Sequence, residues 1–115
     1  MPTIKVTTSK HMEHAQKEAL CLELSSSVAG ILGKPEAYVQ VLVSDEATIS
    51  FGGSFSLPSA FVVVLSIGEF APGATAKMSA AMGAIFARYG VPADRLYINF
   101  SSQKGVNWGW NNSTF

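Results

Sequence analysis

The chain has 115 residues, with 8 basic and 8 acidic side chains and a formal net charge of +0. No run of either sign is present, which argues against a nucleic-acid groove or an anionic membrane surface as its partner, since both call for clustered Lys and Arg. Hydrophobic residues make up 48% and charged residues 14%, against about 25% charged in an ordinary soluble chain. One domain, 1–115, is what this length accommodates, and part of its apolar surface is expected to be buried against other subunits.

The opening Met1-Pro2-Thr3-Ile4-Lys5-Val6 lacks the apolar stretch of a signal peptide. The expected location is therefore cytoplasmic, or secreted by a route that uses no signal peptide. Ile4 and Val6 alternate with Thr3, Lys5 and Thr7, which predicts a strand over residues 2–7. A helix follows over 12–32, with Leu20, Leu24, Val28 and Ile31 or Leu32 forming one apolar face. Cys21, the only cysteine, lies within it and reads as a small buried hydrophobe; no intrachain disulfide can form. Gly33 and Pro35 stop that helix.

Tyr38 to Val43 is β-rich, and Thr48 to Phe51 reads as a short strand ended by Gly52-Gly53. Ser59 to Ser66 is apolar without alternation, the pattern of a strand buried on both faces. Its core, Ala60 to Leu65, is too short to cross a bilayer. A second helix is expected over 75–89, with Met78, Met82, Ile85 and Tyr89 on one face and Gly90 and Pro92 after it. Leu96 to Phe100 is a further strand, and the tail from Val106 to Phe115 is aromatic and Asn-rich.

The two helix-to-strand junctions correspond. Leu32-Gly33-Lys34-Pro35-Glu36-Ala37-Tyr38-Val39 aligns with Tyr89-Gly90-Val91-Pro92-Ala93-Asp94-Arg95-Leu96 at a constant offset of 57 residues. An offset near half the chain implies two copies of one strand–helix–strand unit. With right-handed crossovers, the result is an α/β (α+β) two-layer sandwich. Two pseudo-symmetric βαβ units place both helices on one face of a mixed four-stranded sheet. The uncovered face needs burial, which points to an oligomer.

Several residues could carry chemistry, although each has an ordinary explanation when taken singly. Pro2, once Met1 is removed, is a secondary amine able to act as a general base if its pKa is brought toward neutrality. Lys34 lies where a lysine usually complements a helix dipole, yet it could bind a carboxylate and depress the pKa of a nearby amine. Leu65-Ser66-Ile67-Gly68 is a strand end. Tyr97 and Asn99, two residues apart on one strand, share a face. Trp108, Trp110 and Phe115 could cap the core, pack on a partner subunit or wall an apolar pocket. His11 and His14 lie on one helix turn and lack further partners, so no metal site is expected.

Together these features resemble the macrophage migration inhibitory factor family. The resemblance rests on Met-Pro at the start, Gly33-Lys34-Pro35, Phe51-Gly52-Gly53-Ser54, Ser66-Ile67-Gly68, Asp94-Arg95-Leu96-Tyr97-Ile98-Asn99 and Gly109-Trp110-Asn111-Asn112-Ser113-Thr114-Phe115. It covers essentially the whole chain and implies a homotrimer around a central channel, with active sites and short strands between subunits. It implies keto–enol tautomerisation of phenylpyruvate or its 4-hydroxy form, small aromatic 2-oxo acids, with dopachrome-type compounds as artificial substrates and no cofactor. By resemblance Pro2 is the base, and Lys34 and Ile67 of the same subunit bind the carboxylate. Tyr97 and Asn99 come from the next subunit, Thr3 stands beside the base, and Tyr38, Trp108, Trp110 and Phe115 wall the pocket.

The family also implies a second reading, a cytokine-like ligand of a receptor with the tautomerase site secondary. This chain departs from the animal cytokine in places. Ser59 and Val62 replace a Cys-x-x-Cys pair, so thiol oxidoreductase activity through it is not expected. Gly52 to Ser66 is one residue longer, Trp108 replaces a smaller residue, and Glu69 replaces a lysine at the pocket rim.

Overall fold

A computed structural model describes residues 1–115. Its elements in chain order are β1 (Thr3–Thr8), α1 (His14–Leu32), β2 (Gln40–Ser44), β3 (Ala60–Ile67), α2 (Ala74–Arg88), β4 (Leu96–Gln103), β5 (Gly109–Trp110) and β6 (Ser113–Thr114). Single 3₁₀ turns at Glu36–Tyr38 and Ala93–Arg95 feed β2 and β4, at the offset seen in the sequence. The main sheet has the order β2-β1-β3-β4. β1 runs parallel to β2, β3 parallel to β4, and the two units meet where β1 and β3 pair antiparallel.

Alternation in the strands decides which side chains meet the helices. Ile4 and Val6 of β1 and Val62 and Val64 of β3 are fully buried under Leu20, Leu24 and Val28 of α1 and Met78, Met82 and Phe86 of α2. Fully burying side chains of this kind contributes roughly 1.5–3 kcal/mol apiece relative to leaving them in water. Both helices end alike. Lys34 N–H donates to Ala29 C=O at 3.1 Å and Val91 N–H to Phe86 C=O at 3.0 Å, with Gly33 and Gly90 at positive φ of 65° and 90°. These are Schellman closures, which favour glycine because a Cβ there is strained. No helix is long and apolar enough to cross a membrane.

Four expectations are corrected. Thr48 to Phe51 is not a strand; between β2 and β3 the ladder contacts reduce to an isolated bridge between Phe51 and Ser54. Within one chain β3 is buried on one face only, because only alternate residues are covered and Phe61 is 45% exposed. Its aliphatic residues fill both faces, but the helices cover one. Cys21 is half-buried, its thiol 3.9 Å from the Val41 carbonyl, and burial pushes its pKa up. His11 lies before α1 and has carboxylate partners, as described below.

Candidate active site

The Schellman closure of α1 turns the chain sharply and sets Lys34 at the rim of the sheet. Its ammonium donates to Ser66 Oγ at 2.7 Å and to the Ile67 carbonyl at 2.6 Å. Ser66 belongs to the buried row of β3 and is 2% exposed. The ion pairs of the chain involve His11, His14, Lys17 and Arg88; Lys34 is in none of them. It is a half-buried cation held by two neutral acceptors, and burial lowers its pKa.

The N-terminus lies at the same corner. Thr3 pairs with Leu65 across β1 and β3, so the antiparallel register brings Pro2 level with Ser66. Pro2 is buried, and its carbonyl accepts the Gln40 N–H at 3.1 Å. Thr3 Oγ1 lies 3.3 Å from Gln40 Oε1. Met1 precedes Pro2 here, so the free amine belongs to Met1. Its pKa is lowered first by burial and then by the positive charge of Lys34. An amine at this corner is thus biased toward its neutral, proton-accepting form.

Three aromatic residues gather at the end of the sheet where β2 begins. Tyr38 stands edge-on to Trp110 at 5.5 Å and to Phe115 at 6.2 Å, and Trp110 stacks on Phe115 at 5.5 Å. The tail reaches them through a tight turn at Asn111 and Asn112, with φ of 50° and 65°, matched by Gly52 and Gly53 at 56° and 74°. Successive positive φ values are those of a type I′ turn, and Asn and Gly are the residues that tolerate them. Trp108, whose carbonyl accepts the Phe115 N–H, lines a cleft of about 290 Å³ with Leu65, Gln103, Asn107 and Gly109.

Tyr97 and Asn99 are elsewhere. They occupy the open face of β4, opposite Phe61 and Val63. Measured from the level of Ser66, which pairs with Ser102, Tyr97 lies about 16 Å and Asn99 about 10 Å along the strand at ~3.3 Å per residue. One chain therefore brings together Pro2, Lys34 and Ile67, gathers Tyr38, Trp110 and Phe115, and holds Tyr97 and Asn99 apart from both groups. Ser66 is the partner of Lys34 that residue-by-residue reading did not single out. The signal was there: it is the one hydroxyl between Val62, Val64 and the end of an otherwise aliphatic buried row.

The group with metal-ligand chemistry is His11, Asp45 and Glu46, whose ligand atoms lie within 4.8 Å of one another. Its arrangement suits protons. His11 Nδ1 is 2.6 Å from Glu46 Oε1 and Nε2 is 3.0 Å from Glu13 Oε1. Carboxylates only accept, so both ring nitrogens must carry hydrogen. Hydrogen bonds to Glu13 and then Glu46 raise the His11 pKa accordingly. Asp45 is already engaged by the Met12 N–H at 2.9 Å and by Lys17 at 3.1 Å.

The macrophage migration inhibitory factor family model matches residues 1–115. A macrophage migration inhibitory factor homolog of Trichuris trichiura is 34% identical over 116 residues, covering 100% of each chain. One from Trichinella spiralis is 38% identical over 92 residues, 79% of this chain and 80% of its own. The crystal structure of a homologue from Prochlorococcus marinus superimposes with a TM-score of 0.92 at 35% identity, over 98% of both chains.

Proposed function

The chain belongs to the macrophage migration inhibitory factor family, and from that premise we propose that it is a cofactor-independent keto–enol tautomerase. Its substrates are phenylpyruvate and 4-hydroxyphenylpyruvate, with dopachrome analogues as artificial ones. The observation that carries this reading is Lys34, a cation without a carboxylate partner beside a buried N-terminus. The pair offers an anion site and a neutral amine within one corner.

With Met1 removed, Pro2 becomes a secondary amine in the environment described for the Met1 terminus. It takes a proton from the carbon next to the substrate carbonyl, the electrons moving onto the carbonyl oxygen, and returns the proton elsewhere on the enol(ate). Lys34, with two N–H groups occupied by Ser66 and Ile67, donates its third to the carboxylate, assisted by the backbone at Ile67. Asn99 or water stabilises the oxygen as charge develops, while Tyr97, Tyr38, Trp108, Trp110 and Phe115 surround the ring.

Tyr97 and Asn99 cannot reach Pro2 of their own chain, and the open sheet face exposes Leu42, Phe61 and Tyr97. Both facts support a homotrimer with active sites between subunits, Tyr97 and Asn99 coming from the neighbour. The test is 4-hydroxyphenylpyruvate tautomerisation by protein whose mass shows an N-terminal Pro2, with Pro2→Gly alongside. Turnover that collapses in the variant supports the assignment, and none from a free Pro2 terminus overturns it. The relatives' name favours a second reading, a cytokine-like ligand of a receptor; receptor binding through the outer surface would survive Pro2→Gly.

A further inference from the structure

Arg95 is 8% exposed, and its guanidinium faces no carboxylate. Nη2 donates to the Ser54 carbonyl at 3.0 Å and Nε to the Pro58 carbonyl at 3.2 Å. Its own carbonyl accepts the hydroxyl of Ser59 at 2.7 Å. The stretch between β2 and β3 has no helix or strand, and these bonds, with the reciprocal Phe51–Ser54 pair at 2.9 and 3.0 Å, hold its second half. Ala47 N–H to the Thr8 carbonyl and the Asp45 and Glu46 side-chain bonds hold its first. A buried guanidinium without a counter-ion is expensive to keep. A plain loop anchor would not require one.

What the guanidinium also does is cover the Phe51 ring, with Cζ 5.7 Å from the centroid. The Phe51 ring in turn lies 4.9 Å from that of Tyr97, tilted by 44°. Tyr97 is 66% exposed, and Phe51 is the aromatic ring in contact with it. Whatever a neighbouring subunit adds, Phe51 is the aromatic ring of its own chain that limits the orientations open to Tyr97. The planar guanidinium holds two carbonyls in a fixed fork while its face lies over the ring, a geometry that a lysine ammonium does not reproduce.

We propose that Arg95 is a positioning residue for Tyr97, acting through Phe51, and sets recognition of the substrate's aromatic ring without touching proton transfer. This rests on the tautomerase reading, in which Tyr97 meets the ring while Pro2 and Lys34 meet the 2-oxo acid. Discrimination between aromatic and aliphatic 2-oxo acids then depends on a residue that never contacts substrate.

The experiment compares Arg95→Met and Phe51→Leu with the parent protein, each first shown by circular dichroism and mass in solution to keep its fold and assembly. Phe51→Leu leaves the guanidinium bonds in place and removes only the ring, so it carries the test if Arg95→Met does not fold. The expected result is a KM for phenylpyruvate raised about three- to tenfold, the range an aromatic contact is worth, with kcat unchanged. The KM for oxaloacetate, which has no ring, stays at the parent value. The Tyr97 ring resonances, followed by NMR, shift in both variants. Equal effects on the two substrates, or an unchanged KM for phenylpyruvate in folded variants, overturn the proposal. Absence of turnover by the parent protein sinks the tautomerase reading instead, and with it the specificity role, while the Tyr97 resonances still decide the positioning contact.

Discussion

Lys34 Nζ lies 2.7 Å from Ser66 Oγ, and that hydroxyl is uncharged. The distinction matters because a carboxylate in the same place would neutralise the cation and satisfy it. Held by one hydroxyl and one peptide carbonyl, the ammonium has no counter-ion and keeps one free donor.

Removing the hydroxyl should therefore weaken the hold on the substrate carboxylate and leave the chemistry alone. Ser66→Ala is expected to raise KM for 4-hydroxyphenylpyruvate about 2- to 10-fold, the worth of one hydrogen bond of ~0.5–1.5 kcal/mol. Ser66→Asp, which supplies the missing counter-ion, is expected to do more damage than the alanine variant. Steady-state kinetics on the two variants checks the order.

The Met1 amine is lowered first by burial and second by Lys34, and Pro2 comes into the same corner once Met1 is removed. A base works when unprotonated, so kcat/KM should rise with pH through an apparent pKa below the ordinary α-amino value of about 8. Lys34→Met removes the second cause and keeps the first. Its acid limb is expected to move upward without reaching the ordinary value, with kcat/KM down about 10- to 100-fold for loss of a charged hydrogen bond. A pH–rate profile of both proteins, each with Pro2 at its terminus, tests this.

His11 links the segment before α1 to the segment after β2 through Glu46, and its other ring nitrogen bonds the nearby Glu13. Its folded pKa is raised, so its stabilisation is complete below the unfolded value of about 6.5 and is lost as pH rises through the folded one. Thermal unfolding should show a Tm that falls across that window, and His11→Ala should remove this component of the slope. A Tm profile identical in the two proteins would rule the contribution out.

Phe86 is 1% exposed and sits among the buried residues of both helices and the sheet. Phe86→Ala is expected to destabilise by about 3–5 kcal/mol through lost transfer energy and an unfilled cavity. Denaturant titration measures it directly, and a loss below ~1 kcal/mol would show that the site collapses around the truncation.

The elements that bury an apolar stripe were legible in the sequence: both helices, β1 and β4 lie within a few residues of where periodicity places them. What failed has a physical cause in each case. Thr48 to Phe51 has β-forming residues, but a strand needs a partner, and the carbonyls that follow are taken by Arg95 instead. β3 reads as doubly buried because composition records only that both faces are apolar and not what covers them. The partners of His11 are 2 and 35 residues distant, beyond any local pattern. Likewise Lys34 was visible as a residue, whereas its bond to Ser66 spans 32 positions and exists only once β3 lies beside the end of α1.

The 57-residue repeat carries the backbone of the Pro2 corner into the second half of the chain, but not its chemistry. There Ser59 stands in place of Pro2, with its hydroxyl spent on the Arg95 carbonyl and its N–H on Ser9. Val91 stands in place of Lys34 and is 1% exposed. One half is thus an open corner and the other a closed one, cut from the same template. A trimer of this chain would present the frame six times and be able to react at three of them, with the remaining three serving as fixed joints.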